Sequence, residues 1–149
     1  MNITRNILRI AAISLIAFTF PTATRVLAVE KAAPAVEPSL ARKLLGTWIL
    51  VGTPDKVGEA PAKGGRLKFL TGKNWNITEA DPETGVTVFH HGGTYTLDGD
   101  QYAETIQYAN ENTKNLIKET FKFTIKIEGD TLTQIGIGNP WTEVWKRVK

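Results

Sequence analysis

The sequence predicts an all-β fold, an antiparallel up-and-down barrel of eight or nine strands with a short N-terminal helix. Three observations carry this reading. From residue 47 onward, short segments rich in β-branched and aromatic residues recur between Gly, Asp, Asn and Pro turns. The clearest segment, "FKFTIKIEGD", alternates Phe121, Phe123, Ile125 and Ile127 with Lys122, Thr124, Lys126 and Glu128, so one face is core and the other solvent. No stretch after residue 46 keeps a helical period.

The chain begins with an address rather than with structure. Arg5 and Arg9 precede the apolar run "IAAISLIAFTF", and "VLA" at 26–28 offers a small residue at the cut, so residues 1–28 read as a secretory signal peptide. The run is shorter than the roughly 20 residues of a membrane span. The mature chain is therefore expected outside the cytoplasm, periplasmic or extracellular, with no stable membrane insertion. Eighteen Lys and Arg stand against fifteen Asp and Glu, but Arg5, Arg9 and Arg25 leave with the signal. The balanced remainder has no electrostatic footprint for nucleic acid. With no cysteine, the chain has neither a disulfide nor a lipoprotein acylation site. Residues 29–38, "VEKAAPAVEP", read as an Ala/Pro-rich linker, and 39–149 have the length of one domain.

Ser39 is a good N-cap, Leu40 and Leu44 share a face, and Gly46 suits a helix stop, which predicts a helix over 40–45. Strands follow at 47–53, 65–71, 74–79, 86–91, 93–98, 101–108, 118–128, 131–137 and 141–148. The stretch 86–98 reads either as two strands or as one bent at Gly92-Gly93, giving nine strands or eight. A two-residue Gly129-Asp130 turn pairs Ile127 with Leu132, Phe123 with Gly136 and Phe121 with Gly138. The length of the "TGKN" turn leaves open which of Leu67/Phe69 and Trp75/Ile77 points inward. At "DGD", either turn placement puts Tyr95, Leu97, Tyr102, Glu104, Ile106 and Tyr108 on one face. The opposite face carries Thr94, Thr96, Ala103, Thr105 and Gln107, so the tyrosine face is the inner one.

That inner face carries a carboxylate. Burying an unpaired Glu is costly, so Glu104 needs a partner, a proton or water. Tyrosine hydroxyls or a Lys or Arg from a neighbouring strand would satisfy it structurally. A wet pocket with a few polar groups is the functional alternative. In that case Glu104→Gln is expected to leave stability nearly unchanged.

A helical turn, then Gly46-x-Trp48 opening the first of about eight antiparallel strands, then Arg147 on the last strand in "EVWKRVK", resembles the lipocalin/calycin superfamily. "LLGTW", "GGTYTLDGDQYAETIQY", "KIEGDTL" and "EVWKRV" are similar to small bacterial lipocalin-like domains of uncharacterised function, over roughly 44–149. The threonine-aspartate-tyrosine motif of central lipocalins is missing from "IEGDTLTQIG", as are the cysteines of many secreted members. The resemblance implies a barrel whose closed end is plugged by Trp48, with Arg147 packed across the indole. Such a contact gains cation–π and stacking energy while the charge stays near solvent.

Candidate chemistry is sparse. Ser14 lies in the signal and Ser39 at the helix cap, so no serine or cysteine nucleophile falls within the strands. His90 and His91 are adjacent on a strand and point to opposite faces, so they cannot share an ion without a bulge. Neither a metal nor a cofactor is expected. Glu143 shares parity with Trp141, Trp145 and Arg147, and a salt bridge from Glu143 to Arg147 or a Lys is its plain structural role. The functional expectation is an exported barrel whose lumen, lined by Trp75, Tyr95, Tyr102, Glu104, Tyr108, Phe121 and Phe123, takes up a small apolar or aromatic molecule. A barrel with a filled core that acts as a protein-interaction module is the alternative. A third reading is an isomerase or hydrolase using Glu104 and a tyrosine.

The mature protein should begin at Val29. N-terminal sequencing of exported material checks this, and recovery of residues 1–28 in membranes would establish an anchor instead.

Overall fold

The structure is a computed structural model, and it describes residues 38–149. The signal-peptide expectation and nearly all of the linker fall outside the described residues. α1, Leu40–Leu44, starts where the Ser39 hydroxyl accepts the Arg42 N–H at 3.4 Å. The strands are β1 (Gly46–Thr53), β2 (Lys56–Val57), β3 (Leu67–Thr71), β4 (Asn74–Ala80), β5 (Thr87–Asp98) and β6 (Gln101–Ala109). They continue, after a 3-10 helix η1 over Glu111–Leu116, as β7 (Thr120–Glu128), β8 (Thr131–Ile137) and β9 (Glu143–Arg147).

Apart from β2, sequential neighbours pair antiparallel, and β9 returns to pair with β1, closing an eight-stranded barrel. Closure leaves β1 and β9 without a free edge, which an open sheet would expose. The extra strand, β2, is two residues folded back on the end of β1, with Gly52 opposite Val57. It and η1 were not expected from the sequence. The stretch 86–98 is one long strand, so the eight-strand reading holds and the ninth strand is β2.

Turn lengths settle the registers. Gly99-Asp100 forms the β5–β6 turn, pairing Leu97 with Tyr102 and Tyr95 with Glu104. The Gly129-Asp130 turn pairs Ile127 with Leu132 and Phe123 with Gly136. That ladder ends at Lys122 and Ile137, because Gly138 turns away with φ +69°, so Phe121 has no partner there. Thr71 pairs with Asn74, so "TGKN" has a two-residue turn. Trp75 and Ile77 then point inward with Leu70 and Lys68, while Leu67 and Phe69 lie half-buried on the other face.

One part of the inner-face expectation fails. Between Gly92/Gly93 and Tyr108/Ile106 the β5–β6 register shifts, leaving Gln107 unpaired on β6. A bulge of one residue flips the parity beyond it. Tyr108 therefore lies on the outer face, 44% exposed, with its ring 5.9 Å from that of His90. Gly93 makes the bulge possible, since a β-carbon there would sit 2.1 Å from the Thr105 carbonyl oxygen.

The core comprises Leu44, Trp48, Leu70, Trp75, Ile77, Tyr102, Ile106, Phe123, Ile125, Leu132 and Trp145. Its closed end is a knot of four segments. Trp48, fully buried, donates its indole N–H to the Leu44 carbonyl at 2.9 Å. The Arg147 guanidinium carbon lies 4.1 Å from the centre of the Trp48 ring. Its Nη1 donates to the Leu45 carbonyl at 2.8 Å, its Nη2 donates to the Lys43 carbonyl, and its Nε is 3.7 Å from Asp130. One guanidinium thus satisfies the carbonyls that end α1, which have no partner inside the helix. Gly46 has φ +125°, and a β-carbon there would meet Arg147 Nη1 at 2.9 Å. The glycine of Gly-x-Trp is required by this left-handed backbone, which side chains rarely adopt, and the arginine tip lies directly against it.

Trp48→Ala should destabilise the barrel by roughly 3–5 kcal/mol, as truncation of a buried aromatic does. Arg147→Ala should cost less, and the two changes should be strongly non-additive because the side chains touch. Denaturant unfolding of the double-mutant cycle measures this; additive losses would mean the stacked pair does not act as a unit.

Candidate functional site

Two polar layers lie inside the barrel, one sealed and one open to the end opposite Trp48. The sealed layer is built around Lys68, which β3 points inward and leaves with no exposed surface. Its ammonium donates to Glu104 Oε1 at 2.8 Å and to Gln134 Oε1 at 2.7 Å. The Tyr102 hydroxyl donates to the same Glu104 oxygen at 2.7 Å. The cation also lies 4.8 Å from the Trp145 ring centre and 5.7 Å from that of Trp75. Burial raises the Tyr102 phenol well above its ordinary range, and the neighbouring Glu104 charge adds to this, so Tyr102 stays a donor. Each charge here has a counter-charge or a hydrogen bond, as burial requires.

The open layer sits at the strand ends remote from α1. There Arg66, His91, Glu104, Phe121, Trp141 and Glu143 line a cavity of about 30 Å³, with Ile77, Phe89, Leu116 and Phe123 adding to its apolar wall. That space holds about two or three water molecules. η1 closes one side of this end: the Thr113 hydroxyl donates to the His90 carbonyl at 2.7 Å and the Asn112 amide to the Val88 carbonyl at 2.7 Å.

The charges of the open layer are unevenly satisfied. Arg66 stacks 4.1 Å from the Phe89 ring centre and is paired with Glu79 through Nε at 2.8 Å and Nη2 at 2.7 Å. His91 is 6% exposed, edge-on to Trp75 and Phe89 at 5.4 and 4.9 Å, and its Nδ1 has no hydrogen-bond partner. Burial, with the Lys68 and Arg66 charges behind it, lowers the imidazole to about 4, so His91 is neutral at pH 7. Glu143 is half-buried and makes no salt bridge among the described residues. Burial raises its carboxyl, and the Lys68 charge opposes that rise. The Trp145 indole N–H lies near Glu143 without closing a hydrogen bond to it.

The sequence-derived residues divide between these layers. Trp75, Tyr102 and Glu104 belong to the sealed layer, although Glu104 also reaches the cavity wall. Phe121 and Phe123 line the cavity. Tyr95 packs 5.4 Å from Tyr102 near the closed end, its hydroxyl donating to the Gly72 carbonyl at 3.2 Å, and Tyr108 is outside. A Glu143–Arg147 salt bridge does not form, because Arg147 is committed to Trp48 and Asp130. His90 and His91 do point to opposite faces. Lys68, Gln134, Arg66 and His91 are the residues that sequence reasoning missed. For Gln134 a signal existed, since the Gly129-Asp130 register places it opposite inward-facing Ile125. Among the described residues, no group of three or more His, Asp and Glu gathers as a metal would need.

The expectation that Glu104→Gln would leave stability unchanged does not survive this geometry. The substitution leaves a fully buried ammonium without its counter-charge, which costs about 3–5 kcal/mol. Combining it with Lys68→Met should recover most of the loss, because no uncompensated ammonium is then left buried. Thermal or denaturant unfolding of the single and the double variant checks both signs; a loss under about 1 kcal/mol for the single change would refute the buried pair.

No family model matches this sequence, and no curated protein matches it. Solved structures do. The chain is similar to a lipocalin-like protein from Bacteroides uniformis, at 13% identity and a TM-score of 0.52, over 70% of this chain and 98% of that one. It is also similar to an uncharacterized protein from Bacteroides eggerthii, at 14% identity and a TM-score of 0.50, again over 70% and 98%. At such identities the likeness is one of fold, and the fold of this chain is lipocalin-like.

Proposed function

We propose that this is an exported binding protein whose site is the mouth of the barrel, not the length of its lumen. Lys68, Trp75, Tyr102 and Trp145 already fill the middle of the barrel. The remaining cavity, about 30 Å³, is far smaller than the roughly 300–1,000 Å³ of a pocket that engulfs a drug-sized ligand. A ligand of this site therefore inserts only a small polar head. Its apolar or aromatic body lies across Phe121, Trp141 and Leu116, where Phe121 and Trp141 meet edge-on at 6.4 Å.

The observation that carries this reading is a cavity whose lining includes Glu143, a half-buried carboxylate with no ion pair among the described residues. Unsatisfied buried polar atoms are rare because each costs about 1–3 kcal/mol, and one of them, His91 Nδ1, belongs to a residue of this lining. The filled middle of the barrel favours a second reading, a protein-interaction module with no small ligand.

The two readings part in one experiment. A panel of small aromatic molecules with varied polar heads is screened by thermal shift, and hits are followed through the His91 ring resonances. On the binding reading at least one compound raises Tm by several degrees at about 100 times its Kd and moves those resonances. No response from any compound would leave the interaction module standing.

A further inference from the structure

The unpaired charge at the mouth has a sign, and the sign selects the ligand head. The cavity and its immediate partners hold two cations, Arg66 and Lys68, and three carboxylates, Glu79, Glu104 and Glu143. Arg66 is spent on Glu79 and Lys68 on Glu104. Glu143 is left over. His91 is neutral and adds an imidazole ring, but no charge, to the lining. The buried indole N–H beside the cavity, Trp145 Nε1, lies near Glu143 and favours its charged form.

Resting on the mouth-site reading above, we infer that the cavity recognises a primary ammonium group carried on a short apolar or aromatic body. An ammonium has three donors and no acceptor, which matches a site whose uncommitted polar group is the Glu143 carboxylate. It is close to a water molecule in size, and the cavity has room for only two or three of those. It brings the counter-charge that Glu143 lacks, and hydrogen bonds to charged groups are the stronger kind. The Phe121 and Trp141 rings beside it offer faces that attract a cation and edges that pack against a short hydrocarbon chain. A carboxylate head meets the opposite situation. It would place a second anion beside Glu143, and both nearby cations are already committed.

The test compares two ligands of nearly the same shape, 2-phenylethylammonium and 3-phenylpropionate, by titration calorimetry on the folded wild-type protein at pH 7. The amine should bind and the acid should not. Glu143→Gln should weaken the amine about tenfold, the loss of one charge-assisted contact. The variant should melt at or above the wild-type temperature, since a charge is removed from a half-buried position. The His91 ring nitrogens, followed by long-range nitrogen correlation, should shift on adding the amine. Binding of the acid in preference to the amine would overturn the ammonium assignment while the mouth site itself stands. Amine binding that Glu143→Gln leaves unchanged, with the His91 nitrogens unmoved, would overturn it as well. Failure of both ligands, together with silence from the wider aromatic panel, would remove the mouth site and this inference with it.

Discussion

The interior of this barrel is organised by a buried ion pair between Lys68 on β3 and Glu104 on β6, strands that are not neighbours in the sheet. The pair ties the barrel across its lumen, through one carboxylate oxygen that also accepts the Tyr102 hydroxyl. Such a tie is weak evidence for stability, because removing two charges from water costs about as much as their attraction returns. Its consequence is spatial. An ammonium with no exposed surface needs acceptors on several sides, and Glu104, Gln134 and the Trp145 face supply them from β6, β8 and β9. Once those side chains converge, the lumen at that level has no room for a ligand.

The closed end depends on the same logic applied to neutral groups. α1 is only five residues long, and its last carbonyls have no partner inside the helix. Arg147 reaches them from the last strand, while its carbon plane covers the Trp48 ring. The guanidinium suits this place because it is planar and carries donors along its edge, so stacking and hydrogen bonding do not compete. Lysine offers neither property together. The two ends of the chain's folded part are thus joined at one point, and the ring of strands has no loose seam there.

Much of this was legible in the sequence, and the limits have identifiable causes. Alternation in "FKFTIKIEGD" and the Gly129-Asp130 turn fix the β7–β8 register because a two-residue turn permits few choices, whereas "DGD" allowed two placements, of which the structure takes Gly99-Asp100. The Trp48–Arg147 contact was legible through its resemblance to the lipocalin/calycin superfamily. Lys68 was hidden because Leu67 and Phe69 on either side form the more apolar face of that segment. Only the two-residue Gly72-Lys73 turn places the lysine inside. Tyr108 was misplaced because parity counting assumes a regular ladder, and one unpaired Gln107 reverses it. His91 escaped because the histidines were weighed as a metal pair, whereas its role arises from burial among Trp75 and Phe89.

The contrast between the two polar layers also bears on acid–base chemistry. A general acid or base must reach a substrate and change its proton during the reaction. Glu104 was the residue considered for that role, yet the structure gives one of its oxygens to both Lys68 and Tyr102 in a sealed layer. Proton transfer there would break the Lys68 ion pair and leave a fully buried ammonium without its counter-charge. At the mouth the situation is reversed: His91 and Glu143 flank an accessible cavity, and burial shifts both toward their neutral forms. A neutral imidazole beside a carboxyl with a raised pKa is a pair whose protonation a bound group can decide. The barrel's fixed charges are therefore in its sealed middle, and its adjustable ones are where a small molecule can arrive.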